Sequence, residues 1–548
     1  MWDVRCVSGM ERVFMDLAPQ PMQPAAWMPA NGLYFFQIAY RADEGDLVGV
    51  NFSGSAAAWA EARETVLVPS QLPAYPGFDE HYERTAPGLF PDPLLPIPEY
   101  GIPCSDLGGW RSVTVILDAQ ERPMPQGETE LHVSLTSTQT GACHGTVDFK
   151  LHIAPPMTAS KPLYTCWMYL DCMAQAHHAA LWTEEFWMLL ARYMRLAVRF
   201  GVNVLLTPLV TPPLETAVGL YRTPVQLVDI TRDGDSYSFD FSRFDRFAAL
   251  ARKAGVERFE IGHLFSQWGA AAAAQVIAWE NGVEKRIFGW NDRADSEAYR
   301  SFLRALLSAF GRHAQEKGVA EMCLYHVSDE PGYEQREAYA QGRRLLEECL
   351  GPVTVIDAMS DYRLYEEGYV TMPVPALDAI APFVTNNVRP LWGYYCCVQT
   401  QKVSNRFFSV PLSRTRVLGV QMYLSGMTGF LHWGFNHYNA SQSRERIDPY
   451  LVTDARLAFP SGDAFCVYPA QEDGAPSLRM AAFQAGLEDM RILGTLEEKI
   501  GRERVVALIE ETAGMKVTFE QYPHDAAFLP RLRDRALAML AGAWEETK

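Results

Sequence analysis

Residues 296–361 carry four segments in succession: SEAYRSFLRALLSAFGRHAQEKG from Ser296, MCLYHVSDEP from Met322, REAYAQGRRLLEECLG from Arg336 and VTVIDAMSD from Val353. The first and third repeat apolar residues at three and four, the spacing of an amphipathic helix; the second and fourth are short apolar runs that read as strands. Helix, strand, helix, strand in that order argues for βα units and a parallel sheet. The strand from Met322 stops at Pro331, with Asp329 and Glu330 just before it.

The same alternation extends in both directions. Short apolar runs begin at Tyr164 (YTCWMYL), Asn203 (NVLLTP), Arg258 (RFEIGHL), Met322, Val353, Ala379 (AIAPFVT), Trp392 (WGYYCC) and Gly429 (GFLHWGFNHY). These make eight candidate strands, the count a (β/α)8 TIM-type barrel needs. VQLVDITRDGDSYSFDF, from Val225, alternates around Asp233-Gly234 and is expected to be a β-hairpin inserted in the second βα connection.

Upstream, to about Ile153, the runs LYFFQIAY, VGVNFSG, SVTVILDA, ELHVSLTST and GTVDFKLHI alternate apolar with polar residues, and Pro- and Gly-rich stretches such as PGLFPDPLLPIPEYGIP read as loops between them. That pattern suits an antiparallel β-sandwich. APPMTASKP, from Ala154 to Pro162, reads as a linker because consecutive prolines resist both helix and central strand. The expected fold is therefore α/β: a β-sandwich over 1–155, a (β/α)8 barrel over 156–500 and a helical extension over 501–548.

A net charge of -18 repels a phosphate backbone, and no basic run interleaved with aromatics offsets it, so nucleic acid is excluded as a partner. The start, MWDVRCVSGMERVF, has no apolar core behind a basic segment, and no later stretch is apolar enough to span a bilayer. A cytoplasmic chain without a membrane partner is expected, although a secreted chain trimmed of its leader would read the same. Ten cysteines in 548 residues form no disulfide framework. Cys143-His144 and His177-His178 lack further ligands at metal-binding spacing, so neither metal nor cofactor is expected.

Barrel chemistry sits at the carboxyl ends of the strands. Two acids at the end of an apolar run are unusual there. Their bland reading is a helix cap at Ser328 or Asp329, with Glu330 favouring the positive helix end. Other strand ends supply His263, Asp357 and Asp361, Trp392, Tyr394 and Tyr395, and Trp433, Asn436 and His437. Carboxylates among aromatics and amides suit a sugar pocket, where rings stack on C–H faces and polar groups meet hydroxyls. Each of these side chains alone also reads as core packing.

Adjacency of the two acids bears on mechanism. A hydrolase pair that flanks the glycosidic bond, about 5 Å apart for retention or about 6.5–9.5 Å for inversion, comes most easily from two strands. Neighbours suit a substrate whose own 2-acetamido oxygen attacks the anomeric carbon, with one carboxyl as acid/base and the other holding the acetamide.

HVSDEP resembles the Asp-Glu signature of glycoside hydrolase family 123, the β-N-acetylgalactosaminidases. PGLFPDPLLPI, CWMYLDCMAQAHH, LWGYYCC, SNRFFSVPLSRTRVLGVQMYLSGMTGFLHWGFN and DAFCVYPAQEDGAPSLRMAAFQAGLEDMRIL are also similar to that family. The resemblance implies a sandwich ahead of a barrel and an exo-acting β-N-acetylhexosaminidase, first of all a β-N-acetylgalactosaminidase, acting on a terminal N-acetylhexosamine. It casts Glu330 as acid/base with a raised pKa, Asp329 as the ionised group orienting the acetamide, Tyr394 or Tyr395 as a donor to its oxygen and Trp433 as the pocket floor. His263, Asp361, Trp392 and Asn436 complete the expected substrate site. Two alternatives stay open: a glycosidase with a separate nucleophile such as Asp361 or Asp171, and a non-catalytic carbohydrate-binding barrel.

Overall fold

The computed structural model describes residues 2–105, 108–267, 270–471 and 473–543. The amino-terminal part holds two five-stranded sheets. One runs, in spatial order, Asp3–Ser8, Leu33–Arg41, Arg111–Asp118, Ala60–Ser70 and Gly88–Pro96, antiparallel throughout. The other runs Ala25–Pro29, Cys143–Ala154, Gly127–Ser137, Asp46–Ser53 and Ile102–Cys104, with one parallel pairing at its first edge. Alternation puts Phe36, Ile38, Val113 and Val115 of the first sheet into one core with Leu131, Val133, Phe149 and Leu151 of the second.

One expected loop is a strand. PGLFPDPLLPI contributes the strand Gly88–Pro96, which forms despite its three prolines because it lies at the sheet edge, where a missing N–H breaks no ladder on its outer side.

After the linker the chain builds a six-stranded parallel sheet in the order Cys323–Tyr325, Arg258–Ile261, Val204–Thr207, Leu163–Cys166, Gly429–His432, Trp392–Tyr394. A two-stranded parallel sheet, Asp357–Ala358 with Pro373–Val374, meets it at single parallel pairings of Tyr325 with Val355 and Ala376 with Tyr394. Helices follow the strands and are capped as their sequences dictate. Thr183 accepts the Phe186 N–H ahead of Glu184–Arg199, and Ser296 accepts the Tyr299 N–H ahead of Glu297–Glu316.

The apolar run at Ala379 is not a strand. It forms the helix Ala381–Thr385, whose first turn holds Pro382, a residue that suits a helix start but interrupts a ladder. The strand between Asp357–Ala358 and Trp392–Tyr394 is instead the two-residue Pro373–Val374. The hairpin around Asp233-Gly234 is present as Asp229–Asp233 and Ser236–Asp240, and a second hairpin, Val276–Glu280 with Val283–Phe288, extends it to four strands.

Buried ion pairs tie the two halves together. Asp92, on the edge strand, meets the Arg479 guanidinium at 2.8 Å on both oxygens and accepts the Tyr468 hydroxyl at 2.7 Å. Arg479 lies in the long helix Leu478–Ile500, whose Glu488 accepts the Leu33 backbone N–H at 2.7 Å. Beyond Ile500, the helices Arg502–Ala513 and Phe528–Ala541 bury Leu508, Ile509, Leu532 and Leu537 against Ile492 and Leu496. No helix among the described residues is long and apolar enough to cross a membrane.

Candidate active site

A cavity of about 250 Å³ opens at the carboxyl ends of the parallel strands, and both Asp329 and Glu330 line it. In an extended strand, consecutive side chains point to opposite faces. Here they do not, because Glu330 adopts a left-handed backbone (φ 48°) with its N–H donated to the Ala358 carbonyl on the neighbouring strand at 3.0 Å. That conformation costs a non-glycine residue about 1–2 kcal/mol and persists only where its surroundings impose it. The turn turns two sequence neighbours into one carboxylate pair.

The two acids have unlike surroundings. Asp329 is 7% exposed, and its Oδ2 accepts the Gln267 Nε2–H at 2.9 Å. Gln267 Oε1 in turn accepts the Glu215 backbone N–H at 2.8 Å, which fixes the amide so that its NH2 faces Asp329. Glu330 Oε1 accepts the Tyr394 hydroxyl at 2.8 Å. Burial, helped by the neighbouring Glu330 charge and opposed by the Gln267 hydrogen bond, raises Asp329 to about 8. The carboxyl raised by its surroundings is thus Asp329, which the resemblance casts as the ionised member of the pair. The reason is geometric, since Asp329 lies deeper and no cation touches it.

Beneath the pair lies a closed network. His326 directs Nδ1 to Asp357 Oδ1 at 2.9 Å and Nε2 to Glu260 Oε1 at 2.6 Å, and all three side chains are fully buried. Burial disfavours the imidazolium, but the two carboxylates outweigh it and raise His326 to about 10. Trp167 donates its indole N–H to Glu260 at 2.7 Å, and Tyr339 donates its hydroxyl to Asp357 at 2.8 Å. Potential ligand atoms of His263, His326 and Asp357 fall within 4.8 Å of one another. Both His326 nitrogens are aimed at carboxylates, however, and the two rings stack 3.9 Å apart, so their in-plane lone pairs run side by side rather than converge. The donor set fits a network that holds a proton better than one that holds an ion.

Of the residues expected from sequence, Asp329, Glu330, Tyr394 and Trp433 share the cavity. Trp433 is oriented by its indole N–H, donated to Asp463 at 3.0 Å. The others lie elsewhere. Trp392 is core, pressed flat against Gly429, and Tyr395 packs on Phe430 and His432. His263 stacks below on His326, and burial keeps its pKa well below the usual imidazole value. Asn436 brackets the Tyr169 backbone, accepting its N–H at 2.8 Å and donating to its carbonyl at 3.1 Å. Asp361 caps the helix Tyr362–Glu366 and pairs with Arg363, while Asp171 is clamped by Arg222. Asp329 itself caps no helix: the next one follows Gly332.

Sequence reading missed Trp167, Tyr169, Glu215, Gln267, Cys396, Cys397 and Phe459, which also line the cavity. Trp167 and Tyr169 end the first parallel run, so the strand-end rule reaches them. Glu215 and Gln267 sit in connections whose convergence no local pattern announces.

A cavity at the carboxyl ends of a parallel α/β sheet, with paired carboxyls among indole and phenol rings, is the setting of a glycoside hydrolase. The family model for the glycoside hydrolase 123 catalytic domain matches residues 167–496. The chain belongs to glycoside hydrolase family 123 and is a glycoside hydrolase. Its fold is similar to that of a family 123 enzyme from Clostridium perfringens, whose structure was described for glycolipid glycan hydrolysis: TM-score 0.72 and 13% identity over 99% of this chain and 98% of that one. A family 39 glycoside hydrolase from Bacteroides cellulosilyticus is far more distant, with TM-score 0.33 and 10% identity over 85% and 82% of the two chains. No curated protein matches the chain in sequence.

Proposed function

We propose that this chain is an exo-acting β-N-acetylhexosaminidase, first of all a β-N-acetylgalactosaminidase, that retains configuration through attack by the substrate's own acetamido oxygen. The observation that carries this is the Asp329-Glu330 turn, which brings two neighbouring carboxyls into one small cavity; Asp361 and Asp171 do not line it, and its third carboxylate, Glu215, is engaged by the Gln442 backbone N–H and the Ser441 hydroxyl. A cavity of about 250 Å³ suits a terminal ring rather than a run of sugars. The parallel strands, joined through Tyr325–Val355 and Ala376–Tyr394, are read as one eight-stranded barrel over 156–500, behind a sandwich over 1–155 and ahead of a helical extension.

In this reading the arriving acetamide N–H donates to Asp329. That contact favours the Asp329 carboxylate and releases its proton to Glu330, which then protonates the departing oxygen. As the acetamido oxygen bonds to the anomeric carbon and the leaving group departs, the Asp329 carboxylate, held by the Gln267 amide, steadies the positive charge on the resulting oxazolinium ring. Glu330 next takes a proton from water, which opens the ring with net retention. Trp433 and Trp167 offer apolar faces for the sugar.

The raised pKa of Asp329 favours a second assignment, in which Asp329 is the acid and Glu330 holds the acetamide. Leaving-group dependence separates the two. If Glu330 is the acid, Glu330→Gln slows a poorly activated aryl glycoside by about 10²–10⁴ but a dinitrophenyl glycoside far less, and Asp329→Asn slows both. A thiazoline analogue of the acetamido sugar should inhibit. Equal cleavage of 2-hydroxy and 2-acetamido glycosides would overturn the substrate-assisted reading.

A further inference from the structure

The strand that brings Tyr394 to Glu330 runs directly into Cys396 and Cys397, the only consecutive cysteines in the chain, and both line the cavity. They are free, half-buried thiols. Their side chains lie within hydrogen-bonding reach of each other. Cys396 Sγ also faces Gln399 Oε1 at 3.4 Å, and Cys397 faces the Tyr75 hydroxyl.

We propose that Cys396 and Cys397 form a reversible vicinal disulfide, a thiol switch in the wall of the sugar pocket that lowers activity when closed. The partner in exchange is a small-molecule disulfide such as oxidised glutathione. One cysteine thiolate attacks a sulfur of that disulfide and expels one thiolate; the second cysteine, deprotonated, attacks the mixed disulfide and expels the other. Two electrons and two protons leave the pair, and the oxidant ends as two thiols. The contact with Cys397 and burial both push the Cys396 thiol above its ordinary value.

Two features make the bond reversible and consequential. Consecutive Cα atoms across a trans peptide are about 3.8 Å apart, short of the roughly 4.4–6.8 Å that disulfides normally span. The eight-membered ring therefore distorts the intervening peptide, and accessible, strained disulfides are the readily reduced kind. That peptide is anchored through the Cys396 carbonyl, which accepts Asn405 Nδ2–H at 2.9 Å, and the peptide before it through the Cys396 N–H, which donates to Gln399 Oε1 at 2.9 Å. Closing the ring pulls against both anchors two residues from Tyr394, the hydrogen-bond donor to Glu330.

The effect on activity rests on the pocket being the site of hydrolysis; formation of the bond does not. The test treats the full-length, reduced protein with oxidised glutathione, alkylates the remaining thiols and weighs the tryptic peptide that carries both cysteines. The expected result is a peptide short of two hydrogens and free of alkyl groups. Turnover of an aryl acetamido glycoside should fall at least about tenfold, the scale of loss when a contact to the reacting groups shifts, and dithiothreitol should restore both. A Cys396→Ser/Cys397→Ser double variant, whatever its own rate, should show no response to oxidant. Two alkyl groups on the treated wild-type peptide, or a linked pair with unchanged turnover, would overturn the proposal. A protein without turnover on any acetamido glycoside would defeat the hydrolase reading while the peptide mass still decides whether the bond forms.

Discussion

Asp92 and Asp329 are both buried aspartates, yet their surroundings differ. Asp92, 0% exposed, has the Arg479 guanidinium on both oxygens and the Tyr468 hydroxyl on one of them. Asp329, 7% exposed, has one neutral amide donor and an acidic neighbour. A buried charge met by a bidentate cation becomes a structural clamp. A buried carboxyl left without a cation keeps its proton to high pH and can give it up when a ligand changes the balance. Burial is common to both sites; what separates clamp from chemistry is whether the charge is compensated.

The largest expected effect falls on the clamp. Asp92→Ala leaves the Arg479 cation buried without its partner, which should cost about 3–5 kcal/mol. Urea unfolding should show the loss, while kcat of the protein that remains folded stays unchanged. Replacing both partners with apolar residues of similar volume should recover most of it. A cost for Asp92→Ala no larger than that of a surface substitution would break the contrast from the structural side.

At the pocket the prediction concerns pH. Asp329 titrates near 3.8 when unfolded and about 8 when folded, so the folded state binds the extra proton. A raised carboxyl pKa contributes stability below the unfolded value and loses it as pH rises toward the folded one. Stability should therefore decline by about 1 kcal/mol per pH unit between about pH 4 and pH 8 from this group. Asp329→Asn should abolish that slope, making the variant more stable than wild type at pH 7 by roughly 2 kcal/mol or more and nearly equal to it at pH 4. Melting curves of the two proteins at pH 4, 5.5 and 7 test this; parallel curves would mean that Asp329 is ionised in the folded state.

This contrast was only half legible in the sequence. The alternation in LYFFQIAY and SVTVILDA places whole strands, and two acids ending an apolar run locate the carboxylate pair, because strand period and strand-end position are local properties. Gly88–Pro96 was hidden because its prolines are tolerated only at an edge, and edge position depends on neighbours far along the chain. The second hairpin is marked in the sequence only by its Asn281-Gly282 turn, since its strands lack a clear apolar alternation. Pro373–Val374 is too short for any period to show. Glu260 was visible as an acid inside an apolar strand, but its partner His326 could be assigned only once the strands lay side by side. The left-handed turn at Glu330, which makes both acids face one cavity, has no sequence signal, since glutamate does not favour that conformation.

The smallest expected effect tests how Asp329 is held. Gln267 cannot flip without losing the Glu215 N–H, so its NH2 always faces Asp329 and favours the carboxylate form. Gln267→Ala removes that donor without adding charge. Asp329 should then bind its proton more tightly, and the anion needed while the acetamide is engaged should lose about 1.5–3 kcal/mol of hydrogen bonding. The expected signature is a fall of about tenfold or somewhat more in kcat, a smaller change in KM and a pH–rate profile displaced to higher pH. Gln267→Glu should displace it further, because its second oxygen would face Asp329 with like charge. If Gln267→Ala keeps both kcat and the pH profile, the amide merely fills space, and the uncompensated state of Asp329 is set by burial and Glu330 alone.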